Sequence, residues 1–163
     1  MKKYKTNCIV CWKKIDVSFE PSVESVQCVD VICCKKDRQR HKQVLVVDDE
    51  NSILNLVERA LTKQGIDVTT STTSHQALGK IKTGEHFDLV ISDYELRETL
   101  GLSLLSKILL IRPKTKTILM SGYSLTSNEV SVMPINGYLQ KPFELKVLKS
   151  VVQKVLNKKG GKQ

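Results

Sequence analysis

The chain has 163 residues, a length that allows one full domain and a small additional segment. It carries 26 Lys and Arg against 17 Asp and Glu, a formal net charge of +9, and 40% of its residues are hydrophobic. This balance is typical of a globular protein and argues against a disordered or fibrous chain. No apolar run reaches the roughly 18–20 residues of a membrane span, and the basic N-terminus lacks the apolar stretch of a signal peptide. The composition therefore predicts a cytoplasmic protein without a membrane partner.

Charge and cysteine are distributed unevenly along the chain. Residues 1–43 hold 10 Lys or Arg against 5 Asp or Glu, together with all 5 cysteines, whereas residues 44–163 hold 16 against 12 and no cysteine. A polar, basic run joins the two parts. We therefore predict a Cys-rich extension and linker over 1–43, a domain over 44–158 and a tail over 159–163. Because the excess of positive charge is modest in each part, it favours solubility over nucleic-acid binding.

Apolar runs of strand length alternate with helical periodicity through residues 44–158. We predict strands at 44–47, 66–69, 87–92, 117–120 and 137–140, and helices from Ser52 to Gly65, from Ser74 (as N-cap) to Gly84, over 102–111 and over 145–155.

A further helix is expected within residues 124–136, and it should be short or irregular because the segment contains Pro134 and few periodic apolar positions. Five strands that alternate with helices predict a doubly wound α/β fold. We expect a flavodoxin-like five-stranded parallel sheet with the strand order 2-1-3-4-5.

Polar side chains concentrate where the predicted strands end. Asp48 and Asp49 follow the first strand, Asp93 the third, Ser121 the fourth and Lys141 the fifth. In open α/β sheets the ligand site lies outside the carboxyl ends of the strands. Strands 1, 3, 4 and 5 are contiguous in the order 2-1-3-4-5, so these five side chains are expected to converge on one pocket.

The residue types at this pocket suit phosphoryl transfer. Three crowded carboxylates need a compensating cation, and a ligand set made only of oxygen favours Mg²⁺. A carboxylate can also attack phosphorus and form an acyl phosphate. Asp93 is the natural nucleophile because it stands alone between the acidic pair and the Ser121/Lys141 side. Mg²⁺ and the Lys141 ammonium would neutralise charge on the phosphoryl group, and the Ser121 hydroxyl would donate a hydrogen bond to it.

Four stretches of the sequence resemble the receiver domain of two-component response regulators. They are Val-Leu-Val-Val-Asp-Asp-Glu at 44–50, Asp-Leu-Val-Ile-Ser-Asp at 88–93, Ile-Leu-Met-Ser-Gly at 118–122 and Gly-Tyr-Leu-Gln-Lys-Pro-Phe at 137–143. The resemblance implies that Asp93 accepts a phosphoryl group from a histidine kinase or a phosphotransfer protein. It also implies that Asp48, Asp49, Asp93 and the backbone carbonyl of Glu95 hold Mg²⁺.

The same resemblance implies further roles around the pocket. Ser121 and Lys141 would contact the phosphoryl group, the Lys141-Pro142 peptide bond would be cis, and Tyr138 would be the aromatic residue that turns inward on activation. Glu95 and Tyr123 fall at positions where family members tune the lifetime of the phosphoryl group. The output would be binding to a downstream protein target, and the chemistry would be phosphorylation and dephosphorylation of the chain itself, without enzymatic turnover of a substrate.

The sequence also departs from the family pattern. Leu96-Arg97 stands where Met-Pro is usual, Leu100 precedes Gly101 where an Asp is common, and about two residues are missing before Gly137. None of these changes removes a chemical group from the pocket. The last one affects the shape of the usual output face.

The cysteines of the N-terminal part allow two interpretations. Cys8 and Cys11 form a Cys-x2-Cys knuckle. Cys28 with Cys33, or alternatively with Cys34, could complete a Zn²⁺ ribbon, although four or five residues separate this second pair where two are usual. We take Cys8, Cys11, Cys28 and Cys33 as the predicted ligands. Apolar residues between positions 10 and 19 would form a small hairpin over such a site; they are Val10, Trp12, Ile15, Val17 and Phe19. The other interpretation is a poorly ordered extension with free thiols, or upstream sequence that does not belong to the natural product.

Two rival functions follow from these features. In one, a zinc ribbon binds nucleic acid as part of a transcriptional regulator under receiver control. In the other, the strand-end aspartate with Mg²⁺ belongs to a hydrolytic phosphatase, but such enzymes have an Asp-x-Asp signature and this chain has Glu95 at the second position.

Overall fold

The computed structural model describes residues 3–7, 14–18 and 41–158. The chain divides into two compact units, residues 1–40 and residues 41–163. In the first unit, strand β1 (Lys3–Asn7) pairs antiparallel with β2 (Lys14–Ser18). The cysteines lie outside the described residues, and so does the zinc site predicted for Cys8, Cys11, Cys28 and Cys33.

The second unit contains a five-stranded parallel sheet. In chain order its strands are β3 (Gln43–Val47), β4 (Asp67–Ser71), β5 (Leu89–Asp93), β8 (Lys116–Ser121) and β9 (Gly137–Gln140). Their order in the sheet is β4-β3-β5-β8-β9, which confirms the predicted order 2-1-3-4-5. Every residue of β5 is buried, as expected for a central parallel strand that is covered on both faces.

Within residues 41–158, five helices flank the sheet in two layers. They are α1 (Asn51–Thr62), α2 (Ser74–Lys82), α3 (Gly101–Ile111), α4 (Ser127–Val132) and α5 (Leu145–Asn157). Val44 and Val46 of β3 pack in one apolar cluster with α1 and α5, whereas Leu45 and Val47 pack in a second cluster with α2 and α3. The alternation arises because successive side chains of a strand point to opposite faces. The fold is the predicted doubly wound α/β architecture.

The structure confirms the glycines predicted to end α1 and α2, places the starts of α1 and α3 one residue earlier than predicted, and assigns the N-cap of α2 to a different residue. Gly65 and Gly84 have φ of +73° and +100° just after α1 and α2, where glycine adopts the left-handed conformation without strain. Ser74 was the predicted N-cap of α2, and this is wrong: Ser74 is the first helical residue. The Thr73 side chain accepts a hydrogen bond from the Gln76 amide at 3.2 Å, three residues on, which is the bond that defines an N-cap.

The helix predicted within residues 124–136 is short, as expected. Helix α4 has 6 residues and ends before Pro134. Its N-terminus is closed by a capping box, in which the Thr126 side chain accepts from the Glu129 amide while the Glu129 carboxylate accepts from the Thr126 amide.

A small hairpin after Asp93 was not predicted. Strand β6 (Glu95–Leu96) pairs antiparallel with β7 (Thr99–Leu100), and Arg97 and Glu98 form the two-residue turn between them. The hairpin leads directly into α3. In the described parts of the chain, no helix has the length and apolar character that a membrane span requires.

Candidate functional site

The ends of four neighbouring strands bring the predicted side chains together. Asp93 and Ser121 are the last residues of β5 and β8, while Asp48 and Lys141 directly follow β3 and β9. Backbone hydrogen bonds continue the sheet past these ends: the Lys141 amide donates to the Ser121 carbonyl at 2.6 Å, and the Asp48 amide donates to the Ser71 carbonyl at 3.2 Å. The continued sheet therefore positions the backbone on both sides of the pocket.

Three carboxylates form the acidic side of the pocket. One oxygen each from Asp48, Asp49 and Asp93 lie within 4.8 Å of one another. Asp48 and Asp93 are buried and Asp49 is half-buried. A cluster of closely spaced carboxylate oxygens is the ligand type that hard divalent cations such as Mg²⁺ take, so these residues fit such an ion.

Lys141 bridges two of the carboxylates. Its Nζ lies 2.7 Å from Asp48 Oδ2 and 3.0 Å from Asp93 Oδ1, and the peptide bond between Lys141 and Pro142 is cis. Burial by itself lowers the pKa of the Lys141 ammonium, but the hydrogen bonds and charges of Asp48 and Asp93 outweigh it and raise the pKa above its ordinary value. The lysine is therefore positively charged at neutral pH.

Burial and charge act on Asp93 in opposite directions. Burial raises the pKa of its carboxyl most strongly, the Lys141 ammonium lowers it, and the neighbouring Asp48 carboxylate raises it again, so that the net pKa lies above the ordinary value of 3.8. A buried carboxylate that keeps an elevated pKa is a feature of functional sites.

Ser121 completes the opposite wall of the pocket. Its buried hydroxyl oxygen accepts a hydrogen bond from the Tyr123 amide at 3.0 Å. The hydroxyl hydrogen is left to donate to another oxygen. Asp93, Ser121, Gly122 and Lys141 line one open pocket, so an oxygen-rich group bound there can receive this hydrogen bond.

Two tyrosines lie at the rim of the pocket. The Tyr123 hydroxyl donates to Glu95 Oε1 at 3.0 Å, and this bond raises the pKa of the Tyr123 hydroxyl. The rings of Tyr94 and Tyr123 pack edge to face, with their centroids 6.2 Å apart. The resemblance pointed to both Glu95 and Tyr123, and only the structure shows the hydrogen bond between them.

Tyr138, the predicted switch residue, is half-buried beside this loop. Its hydroxyl donates a hydrogen bond to the Tyr123 backbone carbonyl. Its role as a switch stays a prediction.

Arg97 is a site residue that sequence reasoning missed. Its Nε lies 3.1 Å from Asp49 Oδ2, and its side chain is otherwise largely exposed on the turn between β6 and β7. The departure from Met-Pro at Leu96-Arg97 was the available signal, because it introduces a charge four residues after Asp93.

The fold and pocket define a doubly wound α/β protein with an acidic, lysine-bridged site at the carboxyl edge of its sheet. Residues 44–153 match the response regulator receiver domain family. The chain belongs to this family.

Individual relatives agree with the assignment. The chain is 34% identical over 116 residues to the DNA-binding transcriptional regulator NtrC of Azospirillum brasilense, across 70% of this chain and 24% of that protein. It therefore spans about a quarter of the length of that relative.

Solved structures show the same likeness. A CheY-like receiver domain protein from Methanospirillum hungatei JF-1 superimposes with a TM-score of 0.66 at 30% identity, over 72% of this chain and 94% of that one. The response regulator TrrA from Thermotoga maritima, solved in complex with Mg²⁺-BeF, has a TM-score of 0.63 and 33% identity, over 70% of this chain and 98% of that one.

Proposed function

We propose that this protein is a phosphoacceptor of a two-component phosphorelay, that Asp93 is the residue phosphorylated, and that the reaction requires Mg²⁺. The proposal is carried by one arrangement: Asp48, Asp49 and Asp93 cluster within 4.8 Å while Lys141 bridges Asp48 and Asp93. The Mg²⁺ complex of TrrA supports the choice of metal. Asp48, Asp49, Asp93 and the carbonyl of Glu95 would hold it.

Each residue of the pocket has a separate role in phosphoryl transfer. An oxygen of Asp93 attacks phosphorus, the bond from phosphorus to the donor's imidazole nitrogen breaks, and that nitrogen keeps the electron pair. Asp93 Oδ1 is held by Lys141, which leaves Oδ2 for the attack. Lys141 then neutralises charge on the phosphoryl oxygens, and Ser121 donates its hydroxyl hydrogen to one of them. The Mg²⁺ that the carboxylates would hold would supply further positive charge to the site.

The proposed partners follow from this chemistry. A histidine kinase or a phosphotransfer protein supplies the phosphoryl group, and a downstream protein target binds the phosphorylated chain in the cytoplasm. Tyr138 couples the two events, because it contacts the Tyr123 backbone beside the pocket. The chain changes its own phosphorylation state and does not turn over a substrate. Residues 44–158 act as the receiver, preceded by the extension over 1–43 and followed by a tail over 159–163.

The proposal is tested by intact mass after incubation with acetyl phosphate and Mg²⁺. We expect the unmodified protein to gain one phosphoryl group, and Asp93→Asn or an excess of chelator to abolish the gain. Asp67→Asn is the matched control, since it removes an exposed carboxylate at the other end of the sheet and should leave the gain intact. A gain that survives in Asp93→Asn would contradict the assignment, and so would no gain from acetyl phosphate or from any histidine kinase.

For the N-terminal unit we propose that Cys8, Cys11, Cys28 and Cys33 bind Zn²⁺. The Cys-x2-Cys knuckle supports this, together with the small size of a segment that needs a metal to fold. A ribbon of this kind docks a protein partner, and nucleic acid is the rival ligand. Binding to nucleic acid whose affinity falls steeply with salt would favour the rival.

A further inference from the structure

A second cation reaches the acidic cluster from outside the sheet. Arg97 Nε lies 3.1 Å from Asp49 Oδ2, whereas Lys141 contacts the other two carboxylates. Each of the three carboxylates therefore has a cation of the chain itself as its partner. Arg97 occupies Asp49 Oδ2, so a divalent ion that binds this oxygen competes directly with the guanidinium.

The two cations are held very differently. Lys141 is 20% exposed and lies between two acceptors that are 1% and 13% exposed. The Arg97 side chain is 82% exposed and uses one nitrogen, not the paired contact that makes arginine–carboxylate bridges strong. An exposed ion pair with one hydrogen bond contributes little stability and exchanges readily. Arg97 is therefore the cation that an incoming ion displaces.

The backbone that carries Arg97 is well fixed. Arg97 stands in the two-residue turn of the β6–β7 hairpin, and the hairpin is anchored at its base by the Gly101 amide, which donates to the Tyr94 carbonyl at 2.7 Å. Glu95, whose carbonyl is a proposed metal ligand, belongs to the same hairpin. The hairpin therefore keeps the backbone of Arg97 beside the ion site, and a guanidinium within reach of Asp49 repels a divalent cation there.

We propose that Arg97 is a tethered competitor of the divalent ion for Asp49, which lowers the affinity of the site for Mg²⁺. It thereby raises the Mg²⁺ concentration at which Asp93 becomes ready for phosphorylation. The inference rests on the proposed function, because it needs the metal site, but it concerns a residue outside the set expected to bind metal or phosphoryl group.

The test is Mg²⁺ binding to the unphosphorylated full chain, measured by isothermal titration calorimetry. We expect Arg97→Gln to bind Mg²⁺ roughly three- to tenfold more tightly than the unmodified protein, since an exposed ion pair is lost and a nearby like charge is removed. The matched control is Arg112→Gln. It removes an exposed arginine at the far end of α3 and should leave the Mg²⁺ affinity unchanged. In parallel, the Arg97 Nε–H resonance of the unmodified protein should shift on addition of Mg²⁺.

Asp49→Asn separates the two ways in which the idea can fail. If Mg²⁺ binding depends on Asp49 but Arg97→Gln binds no more tightly than the unmodified protein or than Arg112→Gln, the competitor role is wrong and the metal site stands. If Asp49→Asn binds Mg²⁺ as tightly as the unmodified protein, or if neither binds it, the proposed metal site is wrong. The proposed role of Arg97 is then wrong as well. Thermal unfolding of each variant checks that the comparison is made between folded proteins.

Discussion

At the scale of single residues, burial and the charge of Lys141 shift the pKa of Asp93 in opposite directions. Burial disfavours the ionised carboxylate more strongly than Lys141 favours it, so the pKa of Asp93 is raised. A group whose pKa is raised by folding contributes stability while it is protonated, at pH values below the ordinary value of 3.8, and this contribution is lost as pH rises through the folded pKa. Ionised Asp93 therefore reduces the stability of the metal-free protein at neutral pH.

We predict that Asp93→Asn raises the free energy of unfolding at pH 7.5 by about 1 kcal/mol, because the neutral amide removes a buried charge. Lys141 is not left unpaired, since it keeps its bond to Asp48. The gain should shrink at pH 4, because the raised pKa means that a larger fraction of Asp93 is protonated there than at pH 7.5. Urea unfolding in the presence of a chelator measures both values. A loss of stability at pH 7.5, or an equal gain at both pH values, would show that the carboxylate is not the destabilising group.

At the scale of elements, the approach of α3 to β5 depends on one glycine. A Cβ at Gly101 would lie 1.7 Å from the Asp93 carbonyl oxygen and 2.7 Å from Ser92 Oγ, distances at which atoms overlap. Glycine is required here by this close approach. The contact joins the start of α3 to the residue that we propose as the phosphoryl acceptor.

We predict that Gly101→Ala lowers the free energy of unfolding by about 3 kcal/mol, since the backbone of α3 or of Asp93 has to move. Gly79→Ala is the matched control. Gly79 lies inside α2, nothing lies within 4 Å of a Cβ there, and the change should stabilise the protein by up to about 1 kcal/mol through helix propensity. Urea unfolding of the two variants compares them directly. Equal effects would mean that the contact with Asp93 relaxes without cost.

At the scale of the whole molecule, the chain combines two units of different chemistry. The unit over residues 41–163 contains the receiver fold and no cysteine, whereas the unit over residues 1–40 carries all 5. The receiver clusters apolar residues on both faces of its sheet, so its stability does not require a metal. The N-terminal unit has few large apolar side chains, and for it a metal would supply folding free energy.

We predict that the full chain, purified without chelator, contains about one Zn²⁺ per molecule. The substitution Cys8→Ser should remove it, because a structural zinc site needs four ligands. Elemental analysis by mass spectrometry measures the content. Cys34→Ser is the control, since Cys34 is the cysteine outside the predicted ligand set. Zinc-free protein, or zinc that survives in Cys8→Ser, would contradict the ribbon.

The sequence by itself determined the order of strands and helices in the receiver, and with it the residues that meet at the pocket. Buried parallel strands are continuous apolar runs, which are visible locally, and a strand order that makes strands 1, 3, 4 and 5 neighbours brings their carboxyl ends to one edge. Asp48, Asp93, Ser121 and Lys141 could therefore be gathered from four separate stretches before any distance was known.

Only the tertiary structure decided how those residues are paired. Three pairings depend on side-chain directions and on the hairpin with a two-residue turn after Asp93. Lys141 bridges Asp48 and Asp93. Arg97 contacts Asp49, and Tyr123 donates a hydrogen bond to Glu95. Strands of two residues carry no periodicity that a sequence pattern can register. Contacts between residues far apart in the chain are set by the packing of the whole domain, which is why the contact between Arg97 and Asp49 was visible only in the folded protein.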